Sequence, residues 1–203
     1  MKKWWKNLIL NVFGIFILLL GIIAVINTLW TQGSVQVLWM CYICLLLIGI
    51  GILIRSSFLI MSQLYIITIP LLLWDVDFLY RLIMQKSLIG VTDYFFIGSL
   101  SEIGKIITLQ HLFIIPLAIY LVYLIGVKRR DAWKLSFIQI ILVFFLGILF
   151  TSPEANINCV FEPCINIFLG LPYQLTWFLI AFLLIIVSNL IINQLPFLRS
   201  WKT

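Results

Sequence analysis

Apolar residues run almost without a break through most of this chain, and polar residues come in short clusters between the runs. Six runs stand out, at 8–30, 36–54, 57–74, 106–126, 135–151 and 172–193. Each is close to the roughly 20 residues that carry a helix across a bilayer's hydrocarbon core. The pattern predicts an all-α polytopic transmembrane bundle of about six spans, forming a single integral domain over residues 1–203. No internal repeat, low-complexity tract or linker divides the chain. The first run follows a basic KKWWK start. It exceeds the roughly 7–15 residues of a signal-peptide core and no A-x-A cleavage site follows, so it reads as the first span.

Two segments between the runs are apolar yet too charged to cross. The 75–105 stretch, DVDFLYRLIMQKSLIGVTDYFFIGSLSEIGK, reads as short amphipathic helices at the interface, broken near Gly90 and Gly98. The 152–171 stretch, SPEANINCVFEPCINIFLGL, has the same mixed character. Segments this apolar are expected to fold back over the bundle as a lid or a re-entrant wall.

Composition agrees with the pattern. Hydrophobic residues make up 64% of the 203 and charged residues 10%, against about 25% charged in a soluble domain. The net charge of +6 comes from clusters between spans, which is the signature of membrane orientation rather than of nucleic-acid binding. Lys2, Lys3, Lys6, Arg55, Lys128, Arg129, Arg130, Lys134, Arg199 and Lys202, ten of the thirteen basic residues, fall on one side of the six-span drawing. The positive-inside rule makes that side cytoplasmic, with both termini on it. Arg81, Lys86 and Lys105 fall on the other, with six of the seven acids, all but Asp131. The tryptophans fit: Trp4, Trp5, Trp133 and Trp201 mark the inner boundary, and Trp30, Trp39, Trp74 and Trp177 the outer one.

Candidate chemistry gathers at the outer end. His111, the one histidine, lies about five residues into the fourth span, roughly 7–8 Å deep at 1.5 Å per residue. An ionisable group at that depth is a functional candidate, with a lone imidazole bonded to a carbonyl as the alternative. Pro116 loosens the helix one turn further in. Asp75 and Asp77 stand where the third span reaches the interface. Either serves as base or as orienting partner for an imidazole, or Asp77 pairs with Arg81 four residues on. Asn156 and Asn158 offer amides to a headgroup or an oxyanion, or else cap turns; Tyr94 and Arg81 are further binding candidates. Thr92, Ser99, Ser101 and Cys41 are the nucleophile candidates by position. The site predicted from these residues brings His111 within hydrogen-bond reach of Asp75, Asp77, Asn156 or Asn158.

Cys41-x-x-Cys44 lies in the outer third of the second span, and Cys159 and Cys164 in the last outer segment. Facing an oxidising side, this pattern resembles the quinone-linked disulfide-bond oxidase B type of membrane protein. That resemblance implies redox-active Cys41 and Cys44, a second pair at Cys159 and Cys164, and a bound quinone. Ile48 stands where that family carries an arginine, and the family has four spans. Read from the residues alone, thiols in a span are small hydrophobes, Cys159 and Cys164 make a loop disulfide, and zinc would need all four thiolates at one point.

The ordered stretches LLLWDVDFLYRL (71–82), GVTDYFF (90–96), LQHLFIIPLAIYLVYLIG (109–126) and NINCVF (156–161) resemble an uncharacterised family of small bacterial multi-pass membrane proteins. More remotely, the histidine near an outer span end, with an asparagine-containing loop before the last span, is similar to the androgen-induced-gene hydrolases and related membrane acyltransferases. That similarity implies an intramembrane enzyme acting on acyl esters, with His111 as base. The resulting expectation is a multi-pass protein of the inner (plasma) membrane with a lipid-facing site at the outer leaflet. Hydrolase or acyl-transfer chemistry there would use His111, Asp75 or Asp77, and the Asn156 and Asn158 amides. Membrane lipid is the expected partner, and no metal or cofactor is expected. The alternatives are a thiol oxidoreductase with quinone and a non-catalytic helper or lipid-binding subunit.

Overall fold

The computed structural model describes residues 2–98, 100–165 and 170–199. Ser99, Trp201, Lys202 and residues 166–169 of the outer segment lie outside the described residues, as does the Arg199 side chain. Among the described residues there is no strand. The helices are α1 (Lys3–Thr31), α2 (Met40–Leu53), α3 (Ser57–Met84), α4 (Asp93–Phe96), α5 (Glu102–Thr108), α6 (His111–Ile125), α7 (Trp133–Phe150), α8 (Tyr173–Gln194) and α9 (Pro196–Arg199). Four of them, α1, α3, α7 and α8, are long and apolar enough to cross a membrane. A fifth crossing is available if α5 and α6, bent by 41° at their junction, act as one.

The hydrophobic run at 36–54 resolves into a 3-10 segment, Ser34–Leu38, followed by α2. With 14 residues, α2 falls short of the roughly 20 that a spanning helix needs. It lies antiparallel along α1, held close by glycines. Gly14 faces Leu53, Gly21 faces Leu46, and a Cβ on Gly49 would stand 2.7 Å from the Leu18 nitrogen. Arg55, just past α2, turns in a left-handed conformation. Its guanidinium donates to the Ile52 carbonyl at 2.6 Å and to Asn11 Oδ1 at 2.7 Å, which closes the end of the hairpin.

At the centre is α3. Of its most apolar stretch 67% is buried, against 28%, 33% and 22% for α1, α7 and α8, and it touches α2, α6, α7 and α8. It does not stop at Trp74 as the charges predicted but runs on through Asp75, Asp77 and Arg81 to Met84, 28 residues in all, about 42 Å. Charge ended the apolar run without ending the helix, because no breaker follows until Gln85, which turns left-handed. The expected interfacial helices are therefore only α4 and α5, and the first of them is bounded as predicted by turns at Gly90 and Gly98. Residues from α1, α2, α3, α6, α7 and α8 share one apolar core, including Leu10, Leu45, Leu64, Ile114, Ile140 and Ile185.

Candidate functional site

Three groups of polar side chains form at the end of the molecule where the α1–α2, α3–α6 and α7–α8 connections lie. The first is built on the far end of α3. Asp77 is fully buried, and its carboxylate accepts five hydrogen bonds from the turn that follows. Oδ1 takes the Leu88, Ile89 and Gly90 backbone N–H groups at 2.9, 2.7 and 3.3 Å. Oδ2 takes the Thr92 N–H at 2.9 Å and the Thr92 hydroxyl at 2.7 Å. Asp77 thus folds the connection back onto its own helix. The expected Asp77–Arg81 pair does not form: Arg81 bonds Asp93 and lies over the Phe96 ring, 4.7 Å from its centroid. A turn carrying several N–H groups out of water needs an acceptor more than an arginine at the interface needs a local partner.

The second group lies at the junction of α5 and α6. The span drawn at 106–126 breaks around Leu109 and Gln110, and His111 is the first residue of α6. Its ring packs edge-on against Trp74 of α3, with centroids 4.8 Å apart. Trp74 stacks on Phe78 and donates its indole N–H to the Tyr94 hydroxyl at 2.9 Å. Burial raises the Tyr94 phenol above its ordinary value, and neighbouring Cys41 and Tyr42 add to the shift. His111 is 7% exposed and Gln110 4%, yet His111 Nδ1 and Gln110 Oε1 have no hydrogen-bond partner, and neither does Asp75 Oδ1. The expected hydrogen bond from a ring nitrogen of His111 to Asp75, Asp77, Asn156 or Asn158 is therefore not made: Nδ1 is unpaired, Asp77 is taken by the 88–92 turn and both asparagines bond elsewhere.

The third group closes the α7–α8 connection. Cys159 and Cys164 form a disulfide with Cα atoms 5.6 Å apart, as expected. Asn156 Oδ1 accepts from the Phe161 and Glu162 N–H groups at 3.1 and 3.2 Å, and its amide donates to the Glu162 carbonyl at 3.0 Å. Asn158 reaches across to α2, donating to the Leu38 carbonyl and accepting from the Met40 N–H, both at 2.8 Å. Asn156, Asn158 and Cys159 adopt left-handed backbone conformations. The Tyr173 hydroxyl bonds the Cys159 carbonyl, and Trp177 donates to the Asn158 carbonyl at 3.0 Å. Both amides are spent on loop closure.

No protein-family model, curated protein or solved structure matches this chain.

Cys41 and Cys44 are free thiols, Cys41 half-buried and Cys44 buried. Cys44 packs beside Gln139, whose amide nitrogen is 3.9 Å from its sulfur and 3.5 Å from that of Met40. Gln139 and Gln63 exchange two amide hydrogen bonds of 2.9 and 3.0 Å between α7 and α3. This polar pair was missed in the sequence, although a glutamine inside each of two apolar runs was its visible signal. Gln110 was missed too, although it directly precedes His111. Of the nucleophile candidates, Thr92 is bonded to Asp77, and Ser101 caps α5 and donates to Asn27 Oδ1. Among the described residues no group of three or more His, Cys, Asp or Glu is placed to hold a metal.

Proposed function

We propose that this is a six-crossing protein of a bacterial inner membrane, with both termini cytoplasmic and a lipid-binding site at its outer face. The sixth crossing is completed by α2 with its 3-10 lead, antiparallel to α1. The positive-inside rule and the Cys159–Cys164 disulfide support the orientation independently, since disulfides form where the compartment is oxidising. The resemblance of the stretches 71–82, 90–96, 109–126 and 156–161 to small bacterial membrane proteins supports the setting.

The site is carried by one observation. At the break between α5 and α6, two adjacent side chains, Gln110 and His111, are buried with a polar atom each left unpaired. Native interiors pair such atoms with protein, water or ligand. Broken helices at membrane depth are tolerated where they line a site or are buried in protein. Leu109, Leu112 and Phe113 around the break are exposed and offer an acyl chain an apolar path to it. Binding is better supported than ester hydrolysis or acyl transfer. His111 can serve as a base there, but Thr92 and Ser101 are committed to structure.

The test is photocrosslinking in proteoliposomes with a phospholipid carrying a diazirine on its acyl chain. Labelling should concentrate on peptides covering residues 103–113 and fall at least severalfold in Gln110→Leu/His111→Phe. Labelling spread evenly over the lipid-facing helices, and unchanged in the variant, would overturn the site.

A second reading has one observation in its favour: Asn158 ties the disulfide loop to Met40, next to Cys41. In that reading the chain is a thiol oxidoreductase using quinone. A mixed disulfide trapped on Cys41 would establish it.

A further inference from the structure

We propose that the break between α5 and α6 holds the primary ammonium of an aminophospholipid headgroup, which donates to Gln110 Oε1 and His111 Nδ1. This rests on the lipid-binding reading above and adds the headgroup to it.

The unpaired atoms are acceptors. Gln110 Oε1 can only accept, His111 Nδ1 accepts in one neutral tautomer, and Asp75 Oδ1, one residue past the Trp74 ring that touches His111, accepts as a carboxylate. A ligand that pairs these three atoms brings donors. The backbone N–H groups of Gln110, Leu112, Phe113 and Ile114 offer nothing to an anion, since they already bond the carbonyls of Ile107, Leu109 and Gln110. The nearby cations are committed as well, Arg81 to Asp93 and Lys105 to Glu102, and Lys86 stands exposed past the end of α3. On the two connections that frame this end, 75–105 and 152–171, six acids face three bases. A phosphate-only headgroup would leave all three acceptors unpaired and meet a net acidic surround, with only the Gln110 amide N–H groups and the His111 Nε2–H as donors beside it.

Among donor headgroups, a primary ammonium carries three N–H bonds against the single O–H of a diacylglycerol, and its charge suits the acidic balance. A trimethylated ammonium has the same charge and no donor, so the structure discriminates on hydrogen bonding rather than on charge.

Competition decides it. The crosslinkable phospholipid is displaced from full-length protein in proteoliposomes by phosphatidylethanolamine, phosphatidylcholine, phosphatidylglycerol or diacylglycerol, and in a further arm by soluble phosphoethanolamine. Phosphatidylethanolamine should displace it about tenfold better than phosphatidylcholine, the effect of one charge-assisted hydrogen bond. The labelling that remains in Gln110→Leu/His111→Phe should be displaced equally by the two lipids, and His111→Gln, which keeps an acceptor, should retain both the labelling and the preference. Equal displacement by the two lipids, or better displacement by phosphatidylglycerol or diacylglycerol, would overturn the ammonium assignment while site-specific labelling of 103–113 left the lipid site standing. Displacement by soluble phosphoethanolamine at the same concentration would overturn the assignment to a lipid. Loss of site-specific labelling altogether would remove both.

Discussion

A carboxylate reads as a catalytic candidate when it stands near a histidine, and Asp77 shows what its neighbours can make of it instead. It is wrapped by four backbone N–H groups and one hydroxyl from residues 88–92, and every one of those donors would be stranded without it. Asp77→Ala is expected to destabilise the protein by about 2–4 kcal/mol, since each buried donor left unpaired costs about 1–3 kcal/mol and some regain water. Asp77→Asn, which keeps one acceptor oxygen, should lose less. Thermal melting in detergent reads both, and the alanine variant should become sensitive to protease between residues 85 and 92. A variant that melts with the wild type would mean that the connection is anchored elsewhere. Asn156 and Asn158 make the same point. Their amide type was legible in the sequence, but their partners on Phe161, Glu162, Leu38 and Met40 were not. Hydrogen-bond partners are chosen by the path of the chain, up to 120 positions away for Asn158 and Leu38.

Between elements, α1 and α2 approach closely at their glycines. Lipid offers no hydrophobic drive to bring two apolar helices together, so small residues that let backbones meet carry the contact. At Gly49 a Cβ would meet the Leu18 nitrogen at 2.7 Å and Cα at 2.8 Å, and backbone atoms cannot step aside as a side-chain end can. Gly49→Ala is expected to cost about 1–3 kcal/mol. Gly147→Ala, whose Cβ would meet first the Val160 side chain, at 3.0 Å, should cost less. The ranking of the two melting temperatures checks the packing; a Gly49→Ala protein as stable as Gly147→Ala would contradict it. The apolar run at 36–54 announced a helix, but α2 begins only at Met40. The same limit applied to α3, whose charged continuation read as separate short amphipathic helices at the interface. Hydropathy measures which solvent a segment prefers, and helix continuity depends on breakers and backbone bonding, so the two boundaries need not coincide.

For the whole molecule the decisive property is orientation. Ser87 is exposed on the connection after α3, on the side the charge distribution places outside. Ser87→Cys, made with Cys41→Ser and Cys44→Ser and with the Cys159–Cys164 disulfide intact, should react with an impermeant maleimide added to whole cells. Labelling only after the inner face is opened would invert the topology. The sequence by itself determined the helical class, most of the helices long and apolar enough to cross a membrane and the basic clusters between them, because solvation acts on composition residue by residue. It also placed His111, Trp74, Tyr94 and the cysteines at one end, since position along a span sets depth. The tertiary structure decided what those residues meet. It gave Asp77 to the 88–92 turn, Arg81 to Asp93, and both asparagines to a disulfide-closed loop. It left Gln110 and His111 buried at a break with acceptors unpaired. Which groups converge is set by helix rotation, bend and loop path, and these come from packing over long separations that no local pattern encodes.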